Sequence, residues 1–148
     1  PTGLEESTKL VVDFLRRFRE WHPDCRIELC AMHWFPVGWD DREFARHLKR
    51  ELRIDGVEVD LKPRSPREVL DLMSTAELNI CMRFHSVVFA HAIGAPFVAI
   101  DYTSGGKIDQ FLRGLGLAEF AIRYPDLPGL DQLSLSKRIY RANTGAIS

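Results

Sequence analysis

The chain has 148 residues, 45% of them apolar and 28% charged, with a formal net charge of −1. That length suffices for one domain with its own core, and the charge balance lacks the basic excess of a dedicated nucleic-acid binder. No apolar run reaches membrane-spanning length and no signal-peptide pattern opens the chain; Cys25, Cys30 and Cys81 lack CxxC spacing and fit reduced, mostly buried thiols rather than a disulfide frame or zinc site.

Leu10, Val11, Phe14, Leu15 and Phe18 recur at helical spacing, with Arg16, Arg17, Arg19 and Glu20 opposite. They predict a helix from Leu4 to Trp21, ended by Pro23-Asp24. Arg26 to Met32 predicts a strand. The loop after it, His33 to Trp39, holds a histidine and two tryptophans, which either stack on a sugar ring or cover the core. His33 is therefore a candidate binding residue. With Asp40 and Asp41 it has no recognisable metal-ligand spacing, and no metal is expected. Asp40 or Asp41 caps a helix to about Leu52, with Phe44, Leu48 and Leu52 on one face. Gly56 turns into a short strand, Val57–Leu61. Ser65-Pro66-Arg67-Glu68 is a capping box with proline in the first turn, opening a helix to about Ser74.

The informative stretch is Leu78 to Lys107. Leu78–Met82 reads as a buried strand, Val87–Ile93 as a helix closed by Gly94 and Pro96, and Phe97–Ile100 as a second strand. A strand–helix–strand unit makes its strands parallel, and ligands bind outside their carboxyl ends. Arg83 and His85 fall there, at the entrance to the helix, whose free N–H groups attract anions. Arg83 adds a guanidinium suited to carboxylate or phosphate. His85 adds a proton donor or acceptor near neutral pH. Gly105-Gly106-Lys107 is either a phosphate-approaching loop or a flexible turn, and it lacks the Walker frame. Ile108–Leu115 predicts a helix ended by Gly116, Phe120–Arg123 a short strand, Pro125–Gly129 a loop and Leu130–Arg141 a terminal helix. The remainder is expected to fray.

Alternating helices and strands predict an α/β fold. We expect a Rossmann-like three-layer α/β/α arrangement with a mainly parallel sheet of about five strands. The strand ends carry His33, Lys62, Arg83, Tyr102 and Tyr124.

Arg83-Phe84-His85-Ser86, a small-residue helix, Gly94-x-Pro96, a strand, Tyr102 and then Lys107 form an ordered series. The series resembles the polysaccharide pyruvyl transferase family, which reads Arg-Leu-His-Ser, Gly-x-Pro, a strand, Tyr and Lys. Phe84 stands where that pattern has Leu, and the gap from Tyr102 to Lys107 is longer. The resemblance implies one half of a GT-B-like fold. It also implies transfer of a pyruvyl group from phosphoenolpyruvate to sugar hydroxyls of a cell-surface or exopolysaccharide precursor, as a ketal. Arg83 and His85 would be catalytic, and Arg83, Ser86, Tyr102 and Lys107 would bind substrate; His33 joins the expected substrate-binding residues on the reading of its own loop. No cofactor, nucleic acid or membrane span is implied. The expected partners are phosphoenolpyruvate, a sugar or lipid-linked saccharide acceptor, and a missing amino-terminal domain, with self-association as an option. The expected location is the cytoplasm, at or near the inner face of the membrane. By length, residues 1–148 are expected to form a single Rossmann-like domain, and the opening Pro-Thr-Gly without an initiator Met suggests a fragment. It would be the carboxyl-terminal part of a larger protein, with a strand before Pro1. Two other readings share these residues: a nucleotide-sugar glycosyltransferase domain, and a non-catalytic interaction fragment.

Overall fold

Val11, Val12, Phe14 and Leu15 lie at most 5% exposed, and this stripe fixes the inner face of the first helix, α1 (Thr2–Trp21). The computed structural model describes residues 2–30, 41–60, 62, 64–101 and 106–141. The chain divides into two units, Pro1–Pro63 and Arg64–Ser148.

In the first unit α1 packs on α2 (Asp41–Leu52), whose Ala45, Leu48 and Leu52 recur at helical spacing and are buried. Arg16 ties the two helices. Its Nε donates to the Leu52 carbonyl (3.2 Å) and its Nη2 to the Glu51 carbonyl. These are groups that a helix end leaves without internal partners. Strands β1 (Ile27–Cys30) and β2 (Val57–Asp60) run parallel, with Ile27 opposite Val57. Gly56, just before β2, has φ +77°, and a Cβ there would meet Arg19 Nη2 at 2.8 Å. The backbone at that turn favours glycine, and a side chain there would displace the end of Arg19.

The second unit runs α3 (Pro66–Thr75), β3 (Asn79–Cys81), α4 (Phe84–Ile93), β4 (Phe97–Asp101), α5 (Lys107–Gly114), β5 (Ala121–Arg123) and α6 (Gln132–Lys137). The predicted capping box opens α3, with Ser65 Oγ accepting from Glu68 N–H and Glu68 Oε1 from Ser65 N–H. The ladder order is β3-β4-β5, all parallel. The central strand, β4, is buried at every position, as expected for a parallel strand covered on both faces. Val87 and Ala90 of α4, Ile108 and Leu112 of α5, and Ile122 of β5 complete its apolar surroundings. Strands taken in sequence order with right-handed crossovers place α4 and α5 on one face of the ladder. The two helices touch there, through Phe84 and Phe111.

The fold is therefore α/β and Rossmann-like, with parallel pairing throughout both ladders. The five described strands form a ladder of two and a ladder of three, where one sheet was expected. The strands are short, so each ladder has few rungs. Two further expectations shift. The residues read as a loop at Pro125–Gly129 form a 3-10 helix over Tyr124–Gly129. The terminal helix stops at Lys137, short of the predicted Arg141. Asp131 starts it by accepting from Ser134 N–H (2.7 Å). Tyr140 then turns back to exchange two backbone hydrogen bonds with Phe97 (3.0 and 2.8 Å).

Candidate functional site

The chain leaves β3 at Cys81 and enters α4 at Phe84, one turn earlier than the predicted start at Val87. Ser86 accounts for the difference. Its hydroxyl donates to the Arg83 carbonyl (2.6 Å) and accepts from the Arg83 N–H (3.3 Å), which folds the motif into the first turn of the helix. Arg83 is the N-cap residue, with extended backbone and a half-buried side chain. His85 is exposed on the first turn and Ser86 is buried. Beneath them, burial pushes the Cys81 thiol from an ordinary 9.0 up to about 12, against a smaller lowering by its hydrogen bond with Ser86. Cys81 is therefore a protonated packing group, not a nucleophile.

The helix starts of this unit are held in different ways. Ser65 caps α3, Asp131 caps α6, and the buried Asp101 carboxylate accepts from Asp109 N–H (2.9 Å) at the start of α5. At α4 the N-cap residue, Arg83, makes no side-chain cap hydrogen bond to the amides. The positive end of this helix thus lies beside Arg83, and such an end attracts anions.

Because β3 and β4 are adjacent and parallel, the starts of α4 and α5 share one edge of the ladder. Gly106, the N-cap of α5, has φ +64°, a left-handed backbone that favours glycine. Lys107 is the first residue of α5, and its ammonium lies 4.6 Å from the centre of the Phe84 ring. The structure therefore brings Arg83, His85, Ser86 and Lys107 to one edge. One first-turn amide of α5, that of Asp109, is thus already engaged by Asp101. Tyr102 and His33 lie outside the described residues, as do Trp34, Trp39 and Asp40. Lys62 is exposed, with its N–H held by Asp60 Oδ1 (3.0 Å). The sequence reading passed over Asp101 and Phe84. An acidic residue ending a strand just ahead of a Gly-Gly-Lys helix start was the available signal for Asp101. Phe84 carried none beyond replacing an aliphatic residue.

A family model described as polysaccharide pyruvyl transferase matches residues 8–104. The chain belongs to that family. As a member of the polysaccharide pyruvyl transferase family, it is placed among transferases with saccharide acceptors. The match takes in Arg83, His85 and Ser86 and ends ahead of Lys107, so the place of Lys107 rests on geometry. No curated protein and no solved structure matches the chain. No helix among the described residues is long and apolar enough to cross a membrane. No group of three or more His, Cys, Asp or Glu among them could hold a metal ion.

Proposed function

We propose that this chain carries the donor site of a pyruvyl transferase that uses phosphoenolpyruvate and forms a ketal on a saccharide. The observation carrying this reading is the start of α4, which has Arg83 as its N-cap residue and His85 in its first turn at the carboxyl end of β3. Phosphoenolpyruvate presents a carboxylate and a phosphate. Arg83 grips one of them as a bidentate donor, while the first-turn amides of α4 and the Lys107 ammonium meet the other. His85, as imidazolium, gives its proton to the methylene carbon, which becomes the methyl group. The electron-poor central carbon is then attacked by one sugar hydroxyl. Phosphate leaves with the bridging oxygen, and a second hydroxyl closes the ketal. The two hydroxyl protons are lost, one regenerating the imidazolium and one leaving with inorganic phosphate, so the step balances without an oxidant or reductant. Ser86 serves by locking the turn, because its hydroxyl hydrogen is committed to the Arg83 carbonyl.

The acceptor pocket, in this reading, is completed by an amino-terminal domain facing residues 1–148 as in GT-B enzymes, in the cytoplasm. A thermal-shift series tests the donor assignment. Phosphoenolpyruvate is expected to raise the melting temperature, more than inorganic phosphate does, by mass action on the native state. A rise with nucleotide sugars and none with phosphoenolpyruvate would reassign the site to a glycosyltransferase. No rise with any anion would leave an interaction module.

A further inference from the structure

We propose that Phe84 is a positioning residue, whose ring holds the Lys107 ammonium beside Arg83 so that both cations act on the same donor anion. This deepens the donor-site reading above and rests on it. Lys107 Nζ sits 4.6 Å from the Phe84 ring centre, inside the range where a cation is attracted by the ring quadrupole. The ring is itself fixed. Phe111 meets it edge-on at 5.2 Å and 74°, and His85 at 5.8 Å and 79°. Lys107 and Phe111 are one helical turn apart on α5, so they share a face and grip the same ring from two sides. A carboxylate would neutralise the ammonium it anchored. An aromatic face attracts an ammonium without cancelling its charge. Leu at position 84 would fill the volume against Phe111 and offer Lys107 no comparable hold.

The test has two arms on the same variants. In the first, the ring-current shift of the Lys107 ε-CH2 protons is read by NMR. It is expected upfield in the wild type and in Phe84→Tyr, and lost in Phe84→Leu. A wild-type shift equal to that of Phe84→Leu overturns the contact. In the second, phosphoenolpyruvate affinity is titrated calorimetrically. Phe84→Leu is expected to weaken it about 2- to 5-fold, Phe84→Tyr to restore it, and Phe84→Leu to add nothing in a Lys107→Met background. Unchanged affinity in Phe84→Leu, or an equal loss with and without Lys107, reduces Phe84 to packing and overturns the proposal. If the wild type shows the ring-current shift yet binds no phosphoenolpyruvate, it is the donor reading that fails, and the placement of Lys107 by Phe84 stands supported.

Discussion

Arg83 and His85 are separated by one residue, yet they are held differently. Arg83 is half-buried at the N-cap, with its backbone N–H and carbonyl both engaged by Ser86. His85 stands exposed on the first turn. This division suits a fixed anion clamp and an imidazole in exchange with solvent. Arg83→Ala is expected to raise the KM for phosphoenolpyruvate by ~10- to 100-fold, the value of a charge-assisted hydrogen-bonding group. His85→Ala should instead lower kcat by ~100- to 10,000-fold, as removal of a general acid does. Steady-state kinetics on the full enzyme separates the two, with melting temperatures reporting that both variants fold. Cys81 makes a prediction of opposite character. The native thiol keeps its proton until about 12, while an unfolded thiol loses it near 9.0. Its contribution to stability is therefore whole below that lower value and is lost as pH rises through the interval. Urea melts of the wild type should fall more steeply with pH above 9 than those of Cys81→Ala; parallel slopes would contradict it. At this scale the motif was legible because its members are contiguous. The meeting of Phe84 with Lys107 was not, since a whole helix and strand separate them and only the parallel pairing of β3 with β4 brings them together.

Among the elements, α5 shows how a helix can be placed by the strand that precedes it. Asp101 ends β4 as a carboxylate only 1% exposed, and it accepts from Asp109 N–H inside the first turn of α5. The strand end and the helix start are thus joined across the Gly106 turn, and Lys107 is set between them. Asp101→Ala removes a buried capping group. It is expected to cost ~1–3 kcal/mol in chemical denaturation and to weaken phosphoenolpyruvate binding with it, whereas Asp101→Asn, which keeps an acceptor oxygen, should recover part of both. Equal losses in the two variants would mean that charge rather than capping is what matters there. Helix starts with local chemistry were readable in advance: Ser65 with Glu68 identified α3 from four consecutive residues. The start of α4 was placed a turn late because arginine is not a usual capping residue, and the bond that folds the turn runs backwards from Ser86. The end of α6 was overrun for a different reason. Its apolar spacing continues past Lys137, and what stops it is a distant strand.

For the molecule as a whole, Tyr140 is the residue through which the chain returns to the centre of its second unit. It exchanges backbone hydrogen bonds with Phe97 and packs against the Phe97, Phe120 and His91 rings at 5.1, 5.3 and 5.6 Å. Tyr140→Ala strips these ring contacts while leaving the backbone bonds available. It is expected to lower stability by ~3 kcal/mol, within the range for losing a large aromatic from a packed cluster. A thermal melt unchanged within a degree would show that the cluster contributes little. The α/β class followed from the alternation of periodicities along the chain, which is a local property. The grouping of strands into ladders of two and three did not follow, because strand partnership is decided by contacts that no window of sequence contains.

On one side β4 is paired with β3 from its first residue, Phe97 opposite Asn79; on the other, β5 begins only at Ala99. The Tyr140 bridge fills the place left at Phe97. An open N–H and carbonyl at the start of a strand that is apolar over its first four residues is a template on which another molecule can add a strand. The returning tail therefore acts as a guard against self-templated association, and a variant that loosens it should precipitate on warming well before its helices melt.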